Sequence, residues 1–259
     1  MRKIWNVYLL LFLIPSIGYT QVNTSAFESG EFLKYKINYG LLNAGFMSLE
    51  IESSQINNKQ LLHVNGKGWT TGIVNFVFPV KDNYQTYFYQ ESMKPFKFIR
   101  KINEGGYIKN KEIYFDFEEQ QAEVIDYKHN TKKSFFIQND VQDMLSSLFY
   151  LRSLDLSNLK INEVITLNMF FDEQINEIKL HYKGKDIITT KFGKVKTLVF
   201  KPMVQSGRVF KDDETVTFWV TDDKNKIPIK IKAEILVGSI KADLIEYKGL
   251  ANSFLIIFN

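Results

Sequence analysis

The sequence predicts an all-β fold, mainly antiparallel: a strongly curved sheet or open, barrel-like single domain with one substantial helix. Three observations carry this expectation. Most of the chain alternates apolar and polar residues with period two, as half-buried antiparallel strands do. The alternating runs are short and are broken by Gly, Asn and Asp turn signals at the spacing of sandwiches and barrels. Only one stretch, beginning at Val141, repeats its apolar residues at three and four. With 45% hydrophobic residues, 15% aromatics and only 14 Gly and 5 Pro in 259 residues, the chain can build a core and is neither collagenous nor disordered.

The strands read in order. Leu33, Tyr35, Ile37 and Tyr39 share one face, with Phe32, Lys34, Lys36 and Asn38 on the other. After Gly40 the alternation resumes as Met47, Leu49 and Ile51, and Gly45 inside this second strand marks a bend or bulge. Asn57-Asn58 turns the chain into a third strand over 61–68. Further strands follow near 82–90, 96–103, 111–117, 122–128 and 133–138. A helix of about four turns is expected from Val141 to Leu154, capped by Asn139 or Asp140 and placed to plug or cover one opening of the sheet. The second block has strands at 165–171, 178–182, near Ile187, and at 195–201, 214–221, 227–237 and 239–247. In the longest, Ile227, Ile229, Ile231, Ala233, Ile235 and Val237 point one way, and Pro228, Lys230 and Lys232 the other. No linker or internal repeat divides the two blocks, so residues 21–259 read as one domain.

Residues 1–20 read as a cleaved export signal. Arg2 and Lys3 precede an apolar run from Ile4 to Ile17, and Gly18 and Thr20 place small residues before Gln21. The apolar run is shorter than the ~20 residues that span a bilayer, and no later segment is a transmembrane helix. The expected location is therefore periplasmic or otherwise exported. The chain has no cysteine, which excludes disulfides, thiolate zinc sites and a lipidated Cys after the signal. Lys plus Arg number 33 against 29 Asp plus Glu, with no run of about five or more like charges, so a nucleic-acid partner is not expected.

Few residues invite a catalytic reading. His63, His129 and His181 are the only histidines, and none has a local partner at ligand or base spacing. Asp212-Asp213 and Asp222-Asp223 lack the spacing of a calcium loop and read as hairpin turns. Gly68-Trp69-Thr70-Thr71-Gly72 resembles a nucleophile elbow with Thr in place of Ser, but nothing places it between a parallel strand and a helix. No catalytic residue, metal ligand or cofactor is therefore expected.

Aromatic excess is the stronger signal. The run Trp69 to Val80 contains Ile73, Phe76, Val77 and Phe78 and has neither helix length nor clean alternation. Trp219 lies opposite the stripe Val216, Phe218 and Val220 on its strand. Such residues most often fill a core or a lid. The alternative is an apolar cavity or edge groove, for which Trp69, Phe76, Phe78 and Trp219 are the candidate ligand-binding residues.

Several short motifs then suggest a family. They are Gly30-Glu31-Phe32-Leu33-Lys34-Tyr35 running on to Gly45, Phe78-Pro79-Val80-Lys81-Asp82, Pro95-Phe96-Lys97-Phe98 before Glu104-Gly105-Gly106, Val141-Gln142-Asp143-Met144 on the helix, and Trp219-Val220-Thr221-Asp222-Asp223 through Pro228. Together these resemble the domain-of-unknown-function 3108 family of exported bacterial proteins, over about residues 28–248. The resemblance implies an exported, mostly β protein and supplies no activity, cofactor or site.

The expected function is noncatalytic binding or chaperoning of an apolar or amphiphilic envelope molecule, in the manner of a lipid or lipoprotein carrier. The alternative is a structural or assembly factor that binds an envelope protein partner through its sheet edges.

Overall fold

The computed structural model describes residues 26–203, 216–235 and 237–257. The expected export signal at 1–20 and the Asp212-Asp213 pair lie outside the described residues. The chain opens with β1 (Phe32–Tyr39), β2 (Leu42–Ile56) and β3 (Lys59–Thr70). A short helix α1 (Gly72–Val77) precedes β4 (Lys81–Phe88), β5 (Pro95–Glu104), β6 (Tyr107–Asp116), β7 (Gln121–Asp126) and β8 (Thr131–Phe136). A two-residue strand β9 (Val141–Gln142) leads into helix α2 (Met144–Ser153). The chain continues through β10 (Val164–Phe171), β11 (Gln174–Thr190), β12 (Gly193–Pro202), β13 (Val216–Thr221), β14 (Pro228–Glu234) and β15 (Ser239–Lys248).

All fifteen strands join one sheet, in the order β8-β7-β6-β5-β4-β3-β2-β1-β15-β14-β13-β12-β11-β10-β9. The pairings are antiparallel except for β9 with β10. Because β1 pairs with β15, the strand blocks before and after α2 share the sheet. Gly45 sits where the register of β1 and β2 shifts, and a Cβ there would lie 2.1 Å from the Trp69 carbonyl oxygen, so only glycine permits this approach.

The sheet is not closed, since β8 and β9 end the row without pairing. Side chains span the gap instead. The Phe170 ring meets those of Phe135 and Phe115 at 5.8 and 6.1 Å. The β10–β11 turn, with Asp172 and Glu173 both at positive φ as a tight hairpin requires, reaches β5, β6 and β8. There Asp172 binds Arg100 at 2.6 Å and Lys109 at 2.7 Å, and Glu173 binds Lys111 at 2.7 Å and Lys133 at 3.3 Å. Burial alone would raise the Asp172 carboxyl, but Lys109 and Arg100 hold it below the ordinary carboxylate value.

Four expectations are corrected. The run 69–80 holds a helix, α1, although none of its residues is buried. The strands expected at 178–182 and near Ile187 are one 17-residue strand, bent at a bulge between Tyr182 and Gly184. In β14 the clean alternation fails: Trp219 pairs with Lys230 but Val220 with Pro228, so a bulge at Ile229 turns Pro228 and Ile231 to the same side. Finally, α2 begins at Met144, and its cap is Asp143, not Asn139 or Asp140. Asp143 Oδ1 accepts from the amides of Leu145 at 2.8 Å and Ser146 at 2.9 Å, while the Asp143 amide donates to Ser146 Oγ at 2.8 Å.

Two buried polar groups fix α2 against the sheet. The Phe149 ring packs on Phe27 and Phe88 at 5.0 and 5.8 Å. Next to them Arg152, 2% exposed, donates to both Glu31 oxygens at 2.5 and 2.8 Å, to the Asn225 carbonyl at 3.0 Å and to the Ala26 carbonyl at 3.1 Å. At the other end of the helix Thr86 Oγ1 donates to Asp143 Oδ2 at 2.5 Å. Burial pushes the Asp143 carboxyl up to about 6, against the opposing bonds from Thr86, Ser146 and Leu145.

Removing one partner of a buried ion pair leaves an uncompensated charge. Arg152→Met is therefore expected to cost about 3 to 5 kcal/mol in urea unfolding, and adding Glu31→Leu should recover a large part of that loss. A double variant no more stable than the single one would contradict this account. Asp143 gives a pH signature of definite sign. Its folded-state value lies above the unfolded one, so its contribution to stability is complete below about pH 4 and is lost as pH rises through about 6. Asn keeps the cap without the charge. The stability of Asp143→Asn relative to wild type should thus increase between pH 4 and 7 by on the order of 2 to 3 kcal/mol; a difference independent of pH would refute the assignment.

Candidate functional site

A cavity of about 500 Å³ lies between α2 and the strand wall. That is within the ~300–1,000 Å³ range of small-molecule sites. The helix contributes Met144, Leu148 and Leu151, projecting at i, i+4 and i+7 from one face. Tyr35, Met47 and Leu49 come from β1 and β2. From β10 and β11 come Ile165, Leu167, Met169, Ile178 and Leu180, and Phe200, Phe218, Val220 and Ile231 close the far side. Three of the six methionines of the chain line this space, and their flexible thioethers suit a wall that must fit variable apolar shapes.

Polar groups at the wall are few. Ser147 Oγ donates to the Met144 carbonyl, and Arg152 is engaged by Glu31, Asn225 and Ala26. Lys226 Nζ donates to the Arg152 carbonyl at 3.1 Å, and burial lowers its ammonium below the ordinary lysine value. The Tyr35 hydroxyl is buried with no hydrogen-bond partner, and burial raises its phenol above the ordinary value. A buried hydroxyl left unpaired costs free energy that a ligand oxygen would recover. The site can thus hold an apolar body, with Tyr35 and Lys226 among its few polar wall residues.

The residues singled out from sequence lie elsewhere. None of Trp69, Phe76, Phe78 and Trp219 is among the lining residues of the cavity. Trp219 faces away from it, its Nε1 donating to Asp186 Oδ2 at 3.1 Å and Lys230 Nζ lying 5.8 Å from its ring. The neighbouring Phe218 and Val220, read from sequence as core, are the ones that face the cavity. Trp69, Phe76 and Phe78 instead gather at one end of the sheet. There the turns after β1, β3, β5 and β14 are tied together: the Gly40 amide donates to the Ser239 carbonyl at 2.9 Å, Thr71 to Ala44 at 3.0 Å and Gly105 to Pro79 at 2.8 Å. Tyr39 Oη donates to the Val237 carbonyl at 2.9 Å.

His63, His129 and Asp223 take structural roles. His63 stacks on Tyr87 at 4.3 Å and its Nε2 meets Gln85 Oε1 at 3.0 Å, while His129 Nδ1 meets Asp126 Oδ2 at 2.9 Å. His181 is paired opposite Val164 and Lys201, away from both other histidines in the register. Asp223 Oδ1 accepts from the amides of Asn225 and Lys226 and from Thr221 Oγ1, as a turn-forming carboxylate does. Thr70 Oγ1 bonds Asn75 and the Val80 amide, and its strand is antiparallel to both neighbours, so no nucleophile elbow forms. Among the described residues no group of three or more His, Asp or Glu could hold a metal ion, and no helix is long and apolar enough to cross a membrane.

Comparison with known proteins agrees with this architecture. A crystal structure of a β-barrel-like protein of the domain of unknown function DUF1849, from Brucella abortus, is similar with a TM-score of 0.60 at 10% identity, over 88% of this chain and 98% of that one. At that identity the likeness is one of fold. No curated protein matches the chain. Residues 34–245 match the family described as protein of unknown function DUF3108, and the chain, as its motifs suggested, belongs to that family.

Proposed function

We propose that the protein binds an apolar or amphiphilic, lipid-like molecule in the cavity beneath α2 and acts as its noncatalytic carrier or chaperone in the exported compartment. The observation that carries this reading is a cavity of about 500 Å³ whose wall is aliphatic and thioether-rich, with one unpaired hydroxyl at Tyr35. A core of this composition normally packs to ~0.74 density without such a space. Lys226, which also lines the cavity, favours a ligand with an acidic or oxygen-rich end, such as a carboxylate or phosphate. Binding of a protein partner through a sheet edge is the less supported reading, because the edge strand β8 carries Lys132 and Lys133, the charges that commonly block strand addition.

A dansyl-labelled undecanoic acid is a suitable probe, since its fluorescence rises in an apolar site. Wild type should bind it saturably, and Val220→Trp or Leu151→Trp, which fill the cavity, should weaken binding at least tenfold. Trp219→Ala, on the other face of β13, should leave binding unchanged. Tyr35→Phe should weaken the acid while raising the stability of the unliganded protein by about 1 kcal/mol, because the unpaired hydroxyl is gone. Undiminished binding in both filled variants, with their far-ultraviolet spectra unchanged, would move the ligand out of this cavity.

A further inference from the structure

Six large exposed apolar residues gather in one place. Leu41, Ile73, Phe76, Val77, Phe78 and Val237 lie on three of the four interlinked turns at the α1 end of the sheet. Phe76 is 89% exposed and Val77 76%, and α1 buries none of its residues. Isolated exposed apolar side chains are ordinary, but a cluster on one rim marks a surface made to be covered.

What lies just below this rim identifies the cover. On one face of the sheet, cross-strand partners run Lys36, Phe46, Trp69, Lys81, with the Phe46 and Trp69 rings 5.9 Å apart. Lys34 Nζ lies 5.3 Å from the Phe46 ring and 6.0 Å from that of Trp69. The next row on that face runs Lys67, Asn83, Lys101, and Lys67, Lys81 and Lys101 are exposed. The one acid opposite Lys36 is Asp243, which Lys230 approaches to 3.7 Å. Apolar loop tips, then an aromatic pair, then a lysine collar is the order of chemistries met in passing from the acyl region of a bilayer to its headgroups.

We propose that this rim is a membrane-docking surface whose occupant is an anionic phospholipid bilayer, with Ile73, Phe76 and Val77 entering the acyl boundary and Trp69 and the collar lysines held at the headgroups. Neither attraction is sufficient alone: a few exposed side chains bind a bilayer reversibly, and lysines add affinity only where the lipid is anionic. A protein partner fits less well, because lysine is depleted in protein–protein interfaces and the collar carries Lys67, Lys81 and Lys101 exposed. The proposal is independent of what the cavity holds.

The cysteine-free chain allows the test by site-specific labelling. Val77→Cys at the rim and Glu91→Cys at the far end are each labelled with a polarity-sensitive dye. The labelled proteins are mixed with vesicles of phosphatidylcholine, with or without phosphatidylglycerol. The expected result is a blue shift for the label at 77 only, on the phosphatidylglycerol vesicles only. Phe76→Asp with Ile73→Asp should abolish it, and Lys81→Glu with Lys101→Glu should weaken vesicle binding about tenfold, as should high salt. Because neither pair touches the cavity, the variants should still bind the dansyl acid, which separates loss of docking from loss of fold. An equal shift at 77 and 91, or no shift at 77, overturns the proposal. So does a concentration-dependent dimer that shifts the 77 label without vesicles and is broken by the Asp pair.

Discussion

The arrangement of the molecule turns on one buried contact, between Arg152 near the end of α2 and Glu31 just before β1. A helix laid against a sheet is free to slide and to rotate unless something with directional bonding holds it. Arg152 supplies that direction. Its planar guanidinium has a fixed fork of donors, and it makes two hydrogen bonds to Glu31 and one to each of two carbonyls, those of Ala26 and Asn225. Asn225 in turn donates to the Asn252 carbonyl and accepts from the Asn252 amide, so the same knot holds the C-terminal segment. A lysine could not replace this arginine, because a point charge cannot satisfy four acceptors on three elements.

The cavity follows from that fixation. Pinned at Arg152 and capped at Asp143, α2 cannot roll toward β11 and β12 to fill the space beside Leu148 and Leu151. Aliphatic residues on both sides gain little from a gap, and a free helix would close it, since unfilled space forfeits dispersion contacts. The polar anchors at its two ends hold the helix where packing alone would not.

Much of this was legible in the sequence, and the rest had identifiable physical causes for being hidden. Period-two alternation located nearly every strand, and Gly45 was readable as a bulge because glycine in a strand interior has few other uses. The bulges in β11 and β14 carried signals of the same kind, Gly184 at a φ of 110° and Pro228 beside the skipped Ile229, but where each would shift the pairing depends on the partner strand. The cap at Asp143 was missed for a local reason: Val141 continues the apolar spacing of the helix, yet in three dimensions it pairs with β10 as a strand. Phe218 and Val220 show the general limit. Alternation tells which residues share a face, and it cannot tell whether that face meets packed core or open space. The methionines at 47, 144 and 169 were the available signal for open space. Phe76 and Phe78 show the converse, since their apolar character marked a special surface without revealing that it points outward.

The open seam is the remaining departure from a closed barrel, and side-chain chemistry accounts for its persistence. An unpaired pair of strand edges invites pairing with another chain. Here β9 is only two residues long, and β8 carries Lys132 and Lys133, with Lys133 drawn to Glu173 across the gap. The Phe170 contacts and the ion pairs of Asp172 and Glu173 then do between β5–β8 and β10 what a hydrogen-bond ladder would do in a closed barrel. They do it with a different response to solvent: a ladder is indifferent to pH, whereas the carboxylates of the seam must stay ionised to hold their lysines and arginine. Asp172 and Glu173 both have lowered values in the folded state, Asp172 against the cost of its burial and Glu173 chiefly through its bond from Lys111. Their contribution is therefore present at neutral pH and fades as acid titrates them, the opposite sign to Asp143. Acid thus loosens the seam while it relieves the burial strain at the helix cap, so the sheet edge and the helix respond to pH in opposite directions.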